Sequence, residues 1–115
     1  MEIEEKKIGS VLVVVPRDSR IDAAVSTEFK GRMVDWINEG SKLIVLDLSH
    51  VDFVDSSGLG VLVSSLKTIG GEGDLALCCI QKTVMKLFDL TRMNRVFSIF
   101  PQQSDAVQAL NEKYA

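Results

Sequence analysis

The chain has 115 residues, 46% of them hydrophobic and 25% charged. That is the length and mix of one globular domain, too short for two and too apolar for a disordered chain. With 13 basic and 16 acidic residues the net charge is −3, whereas a phosphate-backbone binder carries a basic excess, so nucleic acid is disfavoured as a partner.

The start, Met1-Glu2-Ile3-Glu4-Glu5, is acidic where a secretion signal needs positive charge and then a long apolar stretch. Ile3 and Glu5 fall in a segment suited to a first strand, and Gly9-Ser10 marks a turn. Residues 11–15 are a continuous aliphatic run, long enough for a second strand, too short for a helix and far short of a membrane span. A soluble, cytoplasmic protein with no membrane insertion is the expectation. Pro16 and Arg17-Asp18-Ser19-Arg20 end the second strand, which a turn this short pairs antiparallel with the first.

From Ile21 the period changes. Val25, Phe29, Met33, Trp36 and Ile37 recur at spacings of four and three, on one face of a helix. Asp22 suits its cap and Gly40 its end. Trp36 in that stripe reads as core. Residues 43–46 are aliphatic on both faces, as in a strand covered on both sides. A second helix starts near Ser57, carries Leu59, Leu62, Val63, Leu66 and Ile69, and stops at Gly70-Gly71. Residues 75–79 are the third aliphatic strand. Val84, Leu87 and Phe88 mark a short third helix, residues 96–100 a last strand closed by Pro101, and Val107 and Leu110 a final helix capped by Ser104. The order β-β-α-β-α-β-α-β-α predicts an α/β domain: a mostly parallel central sheet with an N-terminal antiparallel hairpin strand, flanked by about four helices.

The cysteines and the histidine offer little chemistry at this level. Cys78 and Cys79 are adjacent, and neighbours on a strand point to opposite faces, so they read as two small apolar residues rather than a disulfide. No set of four Cys, His or carboxylate ligands at zinc spacing is legible, and neither a metal nor a cofactor is expected. His50, the one histidine, reads as a polar residue in the turn after a strand.

The segment Asp55-Ser56-Ser57-Gly58-Leu59-Gly60 lies between the strand at 43–48 and the second helix, at the carboxyl end of the strand, where sites gather in open α/β sheets. Ser56 or Ser57 suits the helix cap. Gly58 and Gly60 are poor helix formers, so either something approaches the backbone closely there or helices pack tightly. A phosphate is tolerated at a helix start, because free N–H groups and the helix dipole favour an anion. A phosphoserine would therefore change the surface a partner meets without unfolding the domain. Asp22 and Asp55, if close, would make that surface acidic.

Asp55-Ser56-Ser57-Gly58-Leu59-Gly60-Val61-Leu62, preceded by Val51-Asp52-Phe53-Val54, resembles the signature of the STAS domain, and most closely that of bacterial anti-sigma factor antagonists. The likeness continues in Val45-Leu46-Asp47-Leu48, in Gly70-Gly71, and in Val84-Met85-Lys86-Leu87-Phe88-Asp89-Leu90-Thr91, so that one such domain spans residues 1–115. The resemblance implies a partner switch rather than an enzyme. The unphosphorylated antagonist binds an anti-sigma factor that is also an ATP-dependent serine kinase, and so frees a sigma factor. Phosphorylation of the serine after the motif aspartate, here Ser56, breaks the complex, and a PP2C-type phosphatase resets it. Ser57 stands second to Ser56 as an acceptor. Asp22 matches an acidic residue beside the phosphorylated serine, and Asp22, Asp55, Ser56, Ser57, Gly58 and Leu59 are the partner-binding residues implied.

The chain departs from the family at Ser19-Arg20-Ile21-Asp22, where Gly-Glu-Ile/Leu-Asp is usual. Arg20 there is free to pair with Asp22, with a phosphate or with nothing. The alternative within the family is a non-phosphorylated STAS scaffold or transporter-associated subunit. A serine hydrolase fits poorly, because Ser56 lacks a Gly-x-Ser-x-Gly flank and His50 sits six residues upstream in a turn. A nucleotide-binding enzyme fits no better, since neither phosphate-loop fingerprint is present.

Overall fold

The aliphatic runs form the strands of a central sheet, and the stretches of helical period between them form helices on its two faces. A computed structural model describes residues 1–114. In chain order the elements are β1 (Ile3–Ile8), β2 (Val11–Pro16), β3 (Arg20–Ile21), α1 (Ser26–Asn38), β4 (Leu43–Asp47), β5 (Phe53–Val54), α2 (Ser56–Ile69), β6 (Asp74–Cys78), α3 (Lys82–Leu90), β7 (Ser98–Phe100) and α4 (Gln103–Lys113). Single 3₁₀ turns follow α2 and α3, at Gly70–Glu72 and Met93–Arg95.

The main sheet has the order β1-β2-β4-β6-β7, antiparallel between β1 and β2 and parallel elsewhere. The crossover helices α1, α2 and α3 share one face. There Phe29, Met33, Val61, Leu62, Val84 and Phe88 pack on Leu12, Val14, Ile44, Leu46, Leu75 and Leu77. The C-terminal α4 covers the other face, with Ala106, Val107 and Leu110 against Val11, Val13, Val45, Ala76 and Cys78. Covering both faces is why β2, β4 and β6 read as continuous apolar runs instead of alternating ones. The outer strand β1 carries Glu4, Glu5, Lys6 and Lys7 in exposed positions, charges that discourage pairing along a free edge. Trp36 is core, as its stripe implies, and its indole N–H donates to Glu5 at 2.9 Å. Among the described residues no helix is long and apolar enough to cross a membrane.

Four local expectations need correction. The first helix begins at Ser26, because Asp22 closes a turn ahead of it: its carboxylate accepts from the Ala24 N–H at 3.0 Å, and its carbonyl from those of Val25 and Ser26. The last helix is entered through Gln102, which leaves Ser104 inside its first turn. The last strand shortens to Ser98–Phe100, because Phe97 folds back to donate to the Met93 carbonyl and packs on Phe88 at a ring separation of 6.2 Å. Finally, Cys79 is not in the strand. β6 ends at Cys78, and Cys79 adopts φ +59°, so both thiols face the α4 side instead of opposite faces.

Candidate functional site

Two strands too short to read in the sequence build the site. β3 and β5 pair in parallel, Arg20 beside Phe53 and Ile21 beside Val54, in a small ribbon apart from the main sheet. The chain leaves it at Asp22 on one side and Asp55 on the other. Asp55 then caps α2, its Oδ1 accepting from the Gly58 N–H at 3.0 Å. Its Oδ2 accepts from the Ala23 N–H at 3.1 Å, tying the helix start to the loop after β3. The expectation that Ser56 or Ser57 caps the helix is therefore corrected. Both are already helical, and both are exposed at its first two positions.

Gly58 is fixed by this junction. A Cβ there would lie 2.3 Å from the Ile21 carbonyl oxygen, so the close backbone approach anticipated from the two glycines is real at this position. At Gly60 it is not: a Cβ would meet nothing within 4 Å. Gly60 instead lines two surface grooves. The larger, of about 710 Å3, starts at Ser56 and runs along Leu59, Val63 and Lys67 to Met93. The smaller, of about 220 Å3, lies between α1 and α2 and includes Ser26, Lys30 and Ser57. The two serines thus sit at the heads of different grooves. Val63 was read from the sequence only as part of the helix stripe, and Lys67 and Met93 were not singled out. Val63 and Lys67 lie one and two helical turns beyond Leu59, a spacing that would have placed both on this groove. Met93 comes in from the turn after α3.

Arg20 has partners. Its Nε lies 3.3 Å from the Asp22 carboxylate, and its guanidinium sits 3.9 Å over the Phe53 ring. The first of the sequence alternatives is the observed one, with a cation–π contact added. The surface around Ser56 is therefore of mixed charge, with Arg20 set against Asp22 and Asp55.

The hydrogen bonds from Gly58 and Ala23, with the Arg20 charge behind them, hold the Asp55 carboxyl below its ordinary value of 3.8. A carboxylate whose pKa is lower folded than unfolded stabilises the fold above the unfolded value, and that contribution is lost as pH falls through the folded one. The side-chain carboxyl carbon of Asp55 is thus expected to titrate below 3.8, with the start of α2 fraying only beneath that pH. An ordinary midpoint in a carbon-detected NMR titration would show that the cap and the tie to β3 are open in solution.

His50 lies exposed in the turn after β4, where its ring Nε2 is 3.2 Å from Arg17, which also pairs with Glu4. It is not part of this site.

Comparison with known proteins agrees with the geometry. The model of the STAS domain matches residues 2–106. A Thermotoga maritima protein, provisionally named an anti-sigma factor antagonist, is 30% identical over 94% of this chain and 96% of its own length. The anti-sigma-B factor antagonist of Bacillus subtilis is 28% identical over 76% of this chain and 81% of its own. Among solved structures, the crystal structure of a Thermotoga maritima protein, named with the same provision, superposes with a TM-score of 0.88 at 28% identity, covering 95% of this chain and 94% of that one.

Proposed function

The chain belongs to the STAS domain family, and on that premise we propose that it is an anti-sigma factor antagonist working as a phosphorylation-controlled partner switch. In its unphosphorylated form it binds an anti-sigma factor that is also an ATP-dependent serine kinase, and so releases a sigma factor. Phosphate on Ser56 breaks that complex, and a PP2C-type phosphatase restores it. The protein acts by binding and catalyses nothing itself.

The observation that carries this reading is the exposed Ser56 hydroxyl on the first residue of α2, at the head of a largely apolar groove. A helix start tolerates the phosphate. Its charge of about −1.5 to −2 falls where a partner lying along the groove would bury it. Ser57 heads the smaller groove between α1 and α2, which favours Ser56 as the acceptor. Asp22, Asp55, Gly58 and Leu59 belong to the docking surface in this reading, Leu59 as its apolar floor and the two aspartates as its rim.

A phosphopeptide map of the protein from its own cells, in growth and under stress, tests the proposal. Phosphate on Ser56 that changes between the two conditions is the expected result. An unmodified Ser56 in both would favour the scaffold or transporter-associated reading and leave the serines as ordinary residues of a helix start.

A further inference from the structure

A second group of reactive side chains lies on the other face of the sheet, at the carboxyl ends of β4 and β6. Asp47 is the register partner of Cys78 across these parallel strands. The left-handed conformation of Cys79, φ +59°, brings the next side chain back to the same face. One ligand atom from each of Asp47, Cys78 and Cys79 lies within 4.8 Å of the other two. A left-handed backbone is rare for a residue with a side chain, and where it persists it is often tied to function.

We propose that Asp47, Cys78 and Cys79 bind a single thiophilic divalent cation of the zinc or cadmium class. In a tetrahedral site with metal–sulfur bonds of about 2.3 Å and metal–oxygen bonds of about 2.0–2.2 Å, the ligand atoms stand roughly 3.5–3.8 Å apart. Shifts of about an ångström at most bring the present donors to that spacing. The carboxylate is already held from outside, as ligating carboxylates are: the Ser49 N–H donates to Oδ1 at 2.9 Å and the Gln103 side-chain amide to Oδ2 at 2.8 Å. Asp47 also lines a cavity of about 440 Å3 with Glu4, Glu5, Lys6 and His50. With Glu4, Glu5 and Asp47 against the single Lys6, it offers a cation an approach past the Asp47 carboxylate, with water in the fourth coordination position.

Burial, with the Asp47 charge beside them, pushes both thiols up and keeps them protonated in the metal-free protein. Binding therefore breaks two S–H bonds, forms two metal–sulfur bonds and sends two protons to solvent. Two thiolates and a carboxylate around a divalent ion leave one net negative charge. The inference is independent of the partner-switch reading, since these residues lie on the α4 face of the sheet and Ser56 on the other.

The test is a cadmium titration of the reduced full-length chain, read by the ultraviolet charge-transfer band of cadmium thiolates, with zinc measured by competition against a chromophoric chelator. One equivalent is expected. Cys79→Ser and Asp47→Asn are each expected to weaken binding by about a hundredfold or more, since losing a direct ligand costs at least as much as losing one of the outer partners that orient it. Cys79 is partly exposed, so its serine variant should fold, and circular dichroism checks that it does. Absence of the band at one equivalent overturns the proposal. So does Cys79→Ser binding as tightly as the wild type, which would place the ion adventitiously on His50 and the carboxylates of the cavity.

Discussion

Gly58→Ala is expected to lower the melting temperature by about 10 °C, whereas Gly60→Ala, two residues on in the same helix, leaves it unchanged or raises it slightly. On propensity alone the two substitutions are equivalent, since each replaces the poorest ordinary helix former by the best, a gain of up to about 1 kcal/mol. They differ in what the new methyl group meets. At Gly60 it points into open space. At Gly58 it lies 2.3 Å from the Ile21 carbonyl oxygen, with the Ile21 side chain at 3.0 Å. The near atom is backbone and cannot rotate away. It also accepts from the Asp55 N–H at 3.4 Å, the bond that ties the cap residue of α2 to β3. Relief requires the start of α2 to move off β3, which breaks the tie from Asp55 to Ala23. Overpacking of this kind costs about 3 kcal/mol, and for a chain of this length each kcal/mol is worth roughly 4 °C. Thermal unfolding of the two variants side by side measures it. If Gly58→Ala melted with the wild type, the ribbon of β3 and β5 would not be holding Ser56 in place.

That junction is also where sequence reasoning fell short. The main sheet was legible because each of β2, β4 and β6 is covered on both faces and so writes a continuous aliphatic run. The helices were legible because their stripes recur at three and four. β3 and β5 have two residues each, too few for any period, and they hold together through register with one another rather than through local composition. With them went the identity of the helix cap. Asp55, Ser56 and Ser57 are all good cap residues standing in a row, and nothing local chooses among them. The choice is made from outside, by the Ala23 N–H and the Ile21 carbonyl on β3, which receive Asp55 and turn the serines outward. Cys79 illustrates the same limit. Strand periodicity assigned it to the opposite face from Cys78. Its backbone is instead set by the turn into α3, and Asp47, which faces the two thiols, is more than thirty residues away in the chain.

Replacing Ser56 is expected to separate binding from folding. Ser56→Ala should hold its partner constitutively, and Ser56→Asp should bind it about thirty- to several-thousand-fold more weakly, the range that follows when a charged group left unpaired in an interface costs roughly 2–5 kcal/mol. The wild type should match Ser56→Ala until it is phosphorylated. Aspartate carries one charge where phosphate carries nearly two, so the variant belongs at the lower end of that range and the phosphoprotein at the upper. The domain itself should hardly register the change. An anion on the first turn of α2 gains from the helix dipole by about 0.3–1 kcal/mol, against repulsion of similar size from Asp22 and Asp55, so the melting temperatures should agree within a few degrees. The partner can be captured from a lysate of the source cells on immobilised Ser56→Ala, and its affinity for all three forms measured by calorimetry. Equal affinities for Ser56→Ala and Ser56→Asp, with both variants folded, would remove Ser56 as the switch. The comparison would then pass to Ser57, whose groove faces α1 and whose charge would act on a different part of the surface. A loss of binding accompanied by a large fall in melting temperature would mean that the charge acts on the fold and not on the contact. In that case the ribbon of β3 and β5, rather than the groove along α2, would be the element that changes state.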